Sequence, residues 1–76
     1  MSVRVVSFGK IADILGSKNL EVEAADTEEL QRLLFEKYPR LKEAIFAIAV
    51  NRQVVTGTTA LPPNAEVALL PPFSGG

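Results

Sequence analysis

The sequence predicts an α+β fold in which one mixed sheet carries its helices on a single face. Three observations lead there. Strand-like apolar runs lie near both ends of the chain, at residues 3–8 and 67–70, with others between them at 20–24 and 46–50. One strong helical stripe, Leu30, Leu33, Leu34 and Tyr38, separates the first two strands from the rest. The resulting order is strand, short helix, strand, long helix, strand, short strand, strand, and 76 residues leave room for a single domain, residues 1–76.

Taken in order, residues 3–8 have the β-branched content of a strand, apolar on both faces except at Arg4 and Ser7. Residues 10–15 place Ile11, Ile14 and Leu15 at helical spacing and stop at Gly16, a C′ glycine. A helix of one or two turns depends on packing for its existence. Leu20, Val22 and Ala24 alternate with Glu21 and Glu23, which reads as a half-exposed strand with a solvated acidic face. For the main helix, Asp26 or Thr27 supplies the N-cap, and Glu28 and Glu29 sit at the positive end of the helix dipole. Phe35 falls at the edge of its apolar stripe, and Pro39 ends the regular pattern. Arg40, Lys42 and Glu43 mix both signs, as a solvated face does.

Phe46, Ile48 and Val50 alternate with Ala47 and Ala49, a buried strand whose small residues invite close approach by a neighbour. Asn51-Arg52-Gln53 turns the chain into Val54-Val55-Thr56, making a short hairpin. Residues 57–60 are loop. Leu61-Pro62-Pro63-Asn64-Ala65 is a turn with Pro63 and Asn64 in its middle positions, and Glu66 opens the last strand. A helix held in such a sheet is the β-grasp arrangement, which would set the last strand beside the first.

Composition excludes several function classes. There is no Cys and no His, so the chain lacks a disulfide, a thiolate metal site, the best nucleophile and the most frequent general base. No phosphate loop, dinucleotide fingerprint or nucleophile elbow is present. A formal net charge of −1 gives no electrostatic footprint for nucleic acid. The longest apolar run, residues 44–50, is far short of the roughly 20 residues needed to span a bilayer, and no signal-peptide core appears. These features describe a cytoplasmic protein that binds neither nucleic acid nor membrane and needs partners for any chemistry.

The last residues carry the strongest signal. After the strand, Pro71 and Pro72 have no N–H for a ladder and favour an extended path. Phe73, Ser74, Gly75 and Gly76 have nothing that would fold them, so residues 73–76 read as a flexible tail reaching roughly 13–14 Å. Gly75 and Gly76 lack a Cβ and can enter a slot closed to any other residue. Phe73 lies past the Pro-Pro break, either exposed as a partner anchor or folded back on the sheet.

Residues Ala47-Ile48-Ala49-Val50-Asn51 and the stretch from Leu61 to Glu66-Val67-Ala68-Leu69-Leu70-Pro71-Pro72-Phe73-Ser74-Gly75-Gly76 resemble the small, sulfur-carrier subunit of molybdopterin synthase. This is the MoaD/ThiS-type ubiquitin-like family. Phe8-Gly9-Lys10-Ile11-Ala12-Asp13-Ile14-Leu15-Gly16 is similar to its first helix region, and the Pro-Pro-Phe-Ser-Gly-Gly ending favours the molybdopterin branch. One departure is clear. The family's turn before the last strand reads Leu-x-Asp-Gly-Asp-Glu, whereas Asn64 stands here for the glycine, the residue that best tolerates αL after it.

The resemblance implies a sulfur carrier in molybdenum cofactor biosynthesis, a non-catalytic subunit with no cofactor or metal of its own. An E1-like adenylating enzyme would use ATP to activate Gly76. A persulfide sulfur from a sulfur-donor protein would replace AMP and leave a thiocarboxylate. The molybdopterin synthase large subunit would receive the tail, bind Pro71, Pro72, Phe73, Ser74 and Gly75, and move the sulfur into cyclic pyranopterin monophosphate. The docking surface is expected to be an apolar patch beside the last strand and Phe73. The carrier is expected to be monomeric when alone. The same tip would also suit a thiamin thiazole sulfur carrier or a ubiquitin-like protein modifier, and a plain interaction module is the third reading.

Overall fold

The computed structural model describes residues 2–71. Strand β1 (Ser2–Ser7) is followed by helix α1 (Gly9–Leu15), strand β2 (Asn19–Glu23) and the main helix α2 (Thr27–Lys37). After a 3-10 helix at Pro39–Glu43 come β3 (Ala47–Val50), β4 (Gln53–Val55) and β5 (Glu66–Leu70). The strands form one sheet in the order β2-β1-β5-β3-β4. β1 and β5 pair in parallel and all other pairs are antiparallel, so the sheet is mixed and its last strand lies beside its first. This is the expected β-grasp, ubiquitin-like arrangement.

Every strand sends apolar side chains into one core, β4 through Val55 alone, and both helices meet them on the same face. Val3 and Val5 of β1, Val67 and Leu69 of β5, and Ile48 and Val50 of β3 pack with Leu30 and Leu34 of α2 and with Ile11 and Leu15 of α1. Each such side chain removed from water stabilises the fold by about 1.5–3 kcal/mol before chain entropy is counted. The strict period of two explains why the outer residues Arg4, Glu21 and Glu23 stay exposed beside these.

Local chemistry sets the element ends. Of the two candidate caps, Asp26 is the one used: its Oδ1 accepts from the Glu29 N–H at 2.8 Å. Glu29 reaches back in turn, its Oε1 accepting from the Ala25 N–H at 2.7 Å. Thr27 is instead buried, its Oγ1 accepting from the Thr59 N–H at 3.0 Å and donating to the Gly57 carbonyl at 3.3 Å, which ties the loop after β4 to the helix start. Gly16 ends α1 at φ 75°, the left-handed conformation expected of a C′ residue. Asn64 takes φ 63° and the Ala65 N–H donates to the Pro62 carbonyl at 3.1 Å, a turn with Pro63 and Asn64 central.

Several details differ from the sequence reading. β1 stops at Ser7, because Phe8 already caps α1 in an extended conformation. Ser7, the polar residue on the inner face of that strand, is buried, its Oγ donating to the Ser17 carbonyl at 3.1 Å. Phe46 precedes β3 and packs edge-on against Phe35, ring centroids 6.4 Å apart. The hairpin is one residue tighter than expected: Asn51 and Arg52 alone make the turn, both at positive φ, and β4 begins at Gln53. Between the exposed Arg40 and Lys42, the fully buried Leu41 plugs the core from the 3-10 helix.

Candidate functional site

The site is the face of the sheet turned away from the helices, at the end where β5 hands the chain to Pro71. Strand register builds it. Val6, Ala68, Ala49 and Val54 are successive partners across β1, β5, β3 and β4, forming one row. Leu70 pairs with Ala47 in the next row toward the end of β5. Continuing the β1–β5 register one residue past Ser7 and Leu69 brings Phe8 level with Leu70. Phe8 is 46% exposed and Val54 63% exposed, although both are large and apolar.

The two alanines at the centre matter for shape. Ala49 is buried and Ala68 half-buried, so Val6 and Val54 flank two small side chains at the middle of the row. An apolar surface of this kind gains by desolvation when a complementary partner covers it.

The opposite end of the same face is charged. Arg4 lies between Glu21 on β2 and Glu66 on β5, and Arg52 Nε sits 3.6 Å from the Glu66 carboxylate. The signs alternate across the sheet, Glu21, Arg4, Glu66, Arg52. Exposed pairs like these add little stability, but they bound the apolar rows on one side and orient whatever docks there.

Of the residues singled out from sequence, Pro71 is described: it is exposed and follows β5 directly, next to the apolar rows. Pro72, Phe73, Ser74, Gly75 and Gly76 lie outside the described residues, as does the choice between the two placements of Phe73. Apolar residues do lie beside the last strand, while the part of the expected patch at Phe73 lies outside the described residues; Val6, Phe8, Val54 and Leu70 were not named from sequence as its members. The signal for two of them was there: residues 3–8 read as apolar on both faces, which is more than a one-sided sheet needs.

Among the described residues no cluster of three or more His, Cys, Asp or Glu is arranged to hold a metal ion. No helix among them is long and apolar enough to cross a membrane. The face offers shape, apolar area and charge at its rim, which is docking chemistry.

Known proteins share this fold over the length of the chain. A model of the ThiS family matches residues 5–76. The molybdopterin synthase sulfur carrier subunit of Caenorhabditis briggsae is 35% identical, the alignment covering 100% of this chain and 99% of that one. A chain in the protein-protein complex of subunits 1 and 2 of the molybdopterin-converting factor from Helicobacter pylori superposes with a TM-score of 0.78 at 34% identity, covering 100% of both chains. The small archaeal modifier protein 1 of Methanosarcina acetivorans superposes with a TM-score of 0.86 at 25% identity, covering 99% of this chain and 96% of that one.

Proposed function

The chain belongs to the ThiS family, and from that premise we propose that it is the sulfur-carrier subunit of a molybdopterin synthase, with Gly76 as the residue that bears the sulfur. The observation that carries this reading is the full-length similarity to a protein named for that role, running through a Pro-Pro-Phe-Ser-Gly-Gly ending. The parallel placement of β5 beside β1 supports it, since it projects residue 71 from the same end of the sheet as the apolar face.

The chemistry follows from the state of a carboxylate. With a pKa of about 3.3–3.7 a terminal carboxyl is ionised at neutral pH and resists acyl attack. An E1-like enzyme joins it to AMP from ATP, releasing pyrophosphate and creating a leaving group. A protein persulfide attacks the acyl carbon and expels AMP, and cleavage of the S–S bond by a thiol leaves the thiocarboxylate on Gly76. The large subunit then takes sulfur from that group into cyclic pyranopterin monophosphate. The carrier holds no cofactor; ATP is consumed on the activating partner, in the cytoplasm. This chain contributes the acyl carbon, a tail narrow enough for a channel, and the docking face of Val6, Ala68, Leu70, Ala47 and Val54.

The test supplies thiocarboxylated chain and cyclic pyranopterin monophosphate to the large subunit and measures molybdopterin. Product formation is expected. No product, with the same chain supporting thiazole synthesis, would move the assignment to the thiamin branch. The similarity to a small archaeal modifier protein favours a second reading, in which the terminus is joined to lysines. Thiol-stable adducts of higher mass in place of molybdopterin would establish that one.

A further inference from the structure

The outer edge of β2 is open, and its chemistry selects an occupant. β2 ends the sheet. The Ser7 N–H donates to the Lys18 carbonyl at 3.0 Å, and with the β1–β2 register this fixes which way each residue of β2 turns its backbone. In an antiparallel ladder the sense alternates, so Leu20 and Val22 face β1 while Asn19, Glu21 and Glu23 face outward. The outward groups of Asn19 are already closed, its carbonyl accepting from the Ser17 hydroxyl at 2.7 Å and its N–H donating to that oxygen at 3.2 Å. At the other end the Ala25 carbonyl accepts from the Leu61 N–H at 2.9 Å. Between these stops, the N–H and C=O groups of Glu21 and Glu23 are presented at the sheet's free edge.

The two faces beside this edge differ. On the helix side a groove of about 550 Å³ runs between β2 and α2, lined by the half-buried Leu20, Val22, Leu33 and Tyr38. On the other side stand the exposed carboxylates of Glu21 and Glu23, which make no ion pair among the described residues. Arg4 is the cross-strand neighbour of Glu21, whereas Glu23 faces Ser2, so the edge keeps an excess of negative charge. On the groove rim Glu36 is held by Arg32 at 3.8 Å and Lys37 lies over the Tyr38 ring at 5.7 Å.

We propose that this edge receives an extended segment of a partner protein, added as a sixth strand, in which apolar residues alternate with Lys or Arg. Strand addition supplies the backbone bonds. The period of two then sends the apolar side chains into the groove and the basic ones beside Glu21 and Glu23. A second copy of this chain is a poor occupant, because its own β2 would set glutamate against glutamate. The edge lies two strands from β5 and its groove opens on the helix face, so the segment binds while the apolar face and Pro71 stay free. The inference goes beyond the carrier reading and does not depend on it.

The test titrates the isotope-labelled full chain with a peptide of about nine residues alternating Val and Lys, roughly 30 Å when extended. The largest shifts and a slowing of amide exchange are expected at Glu21 and Glu23, with affinity that falls as salt rises. Reversing both charges (Glu21→Lys with Glu23→Lys) is expected to weaken binding about tenfold and to confer binding on a Val–Glu peptide instead. Because both side chains are exposed, the spectrum elsewhere reports that the variant is folded. Equal binding of the Val–Lys and Val–Glu peptides, shifts centred on Val54 and Leu70, or concentration-dependent dimers through β2 without peptide would each overturn the proposal.

Discussion

Asn51 and Glu66 exchange two hydrogen bonds across the sheet. The Asn51 N–H donates to the Glu66 carbonyl at 2.7 Å, and the Glu66 N–H donates to Asn51 Oδ1 at 2.9 Å. Together they fasten the β3–β4 hairpin to the first residue of β5 and so set where the last strand begins. Asn51 does this at φ 49°, a conformation in which asparagine is favoured over other side chains.

Replacing that residue separates its two contributions. Asn51→Gly keeps the backbone conformation and loses the acceptor, a cost of about 1 kcal/mol. Asn51→Ala loses the acceptor and also places a Cβ in the left-handed region, for a total of roughly 2–3 kcal/mol. Urea unfolding of the three proteins is expected to rank them in that order. Equal stability of the alanine variant would show that the pair does not anchor β5.

Leu41 is expected to be the costliest residue outside the regular elements. It is fully buried, held by a 3-10 helix between exposed Arg40 and Lys42. Leu41→Ala removes a core side chain and leaves a cavity, costing about 2–4 kcal/mol, while Arg40→Ala changes stability by less than about 0.5 kcal/mol. Thermal or denaturant unfolding measures both.

That contrast also marks how much was legible beforehand. The αL residues Gly16 and Asn64 and the α2 stripe are local, carried by residue types at fixed offsets, and the sequence predicts each one; for the cap it left Asp26 and Thr27 level, and the structure selects Asp26. Leu41 was not legible, since one apolar residue in a five-residue 3-10 helix has no repeat to reveal it. The docking face was half legible: apolar strands with small residues at Ala47 and Ala49 signalled close approach, yet the row Val6–Ala68–Ala49–Val54 exists only once β5 is placed between β1 and β3. The Pro-Pro-Phe-Ser-Gly-Gly ending was readable as a motif without any structure.

Val54 tests the face without risking the fold. It is 63% exposed on the edge strand β4, where a lysine is well tolerated. Val54→Lys is expected to leave unfolding within about 0.5 kcal/mol of the natural chain. The variant places a charge in the apolar row, and binding to the large subunit is expected to weaken by about tenfold or more. Calorimetric titration of the natural chain and Val54→Lys would decide it, and unaltered affinity would place the docking surface elsewhere.

The tail carries the last prediction. Every buried side chain among the described residues falls between Val3 and Leu69, so removing Gly76 takes nothing from the core. A chain ending at Gly75 is therefore expected to unfold as the natural one does and to fail in adenylation and sulfur loading, read by intact mass. Gly75→Val addresses passage rather than reaction: it adds a β-branched side chain and closes access to positive φ where the tail must enter the partner. Threading the four residues 73–76 already costs on the order of 1–2 kcal/mol each in backbone ordering, so the docking face has to hold the complex while the tail is placed. Binding of Gly75→Val to the large subunit is thus expected to weaken only modestly, with sulfur transfer lost. If the variant loads and transfers normally, the channel admits a side chain and the two glycines are not there for their narrowness.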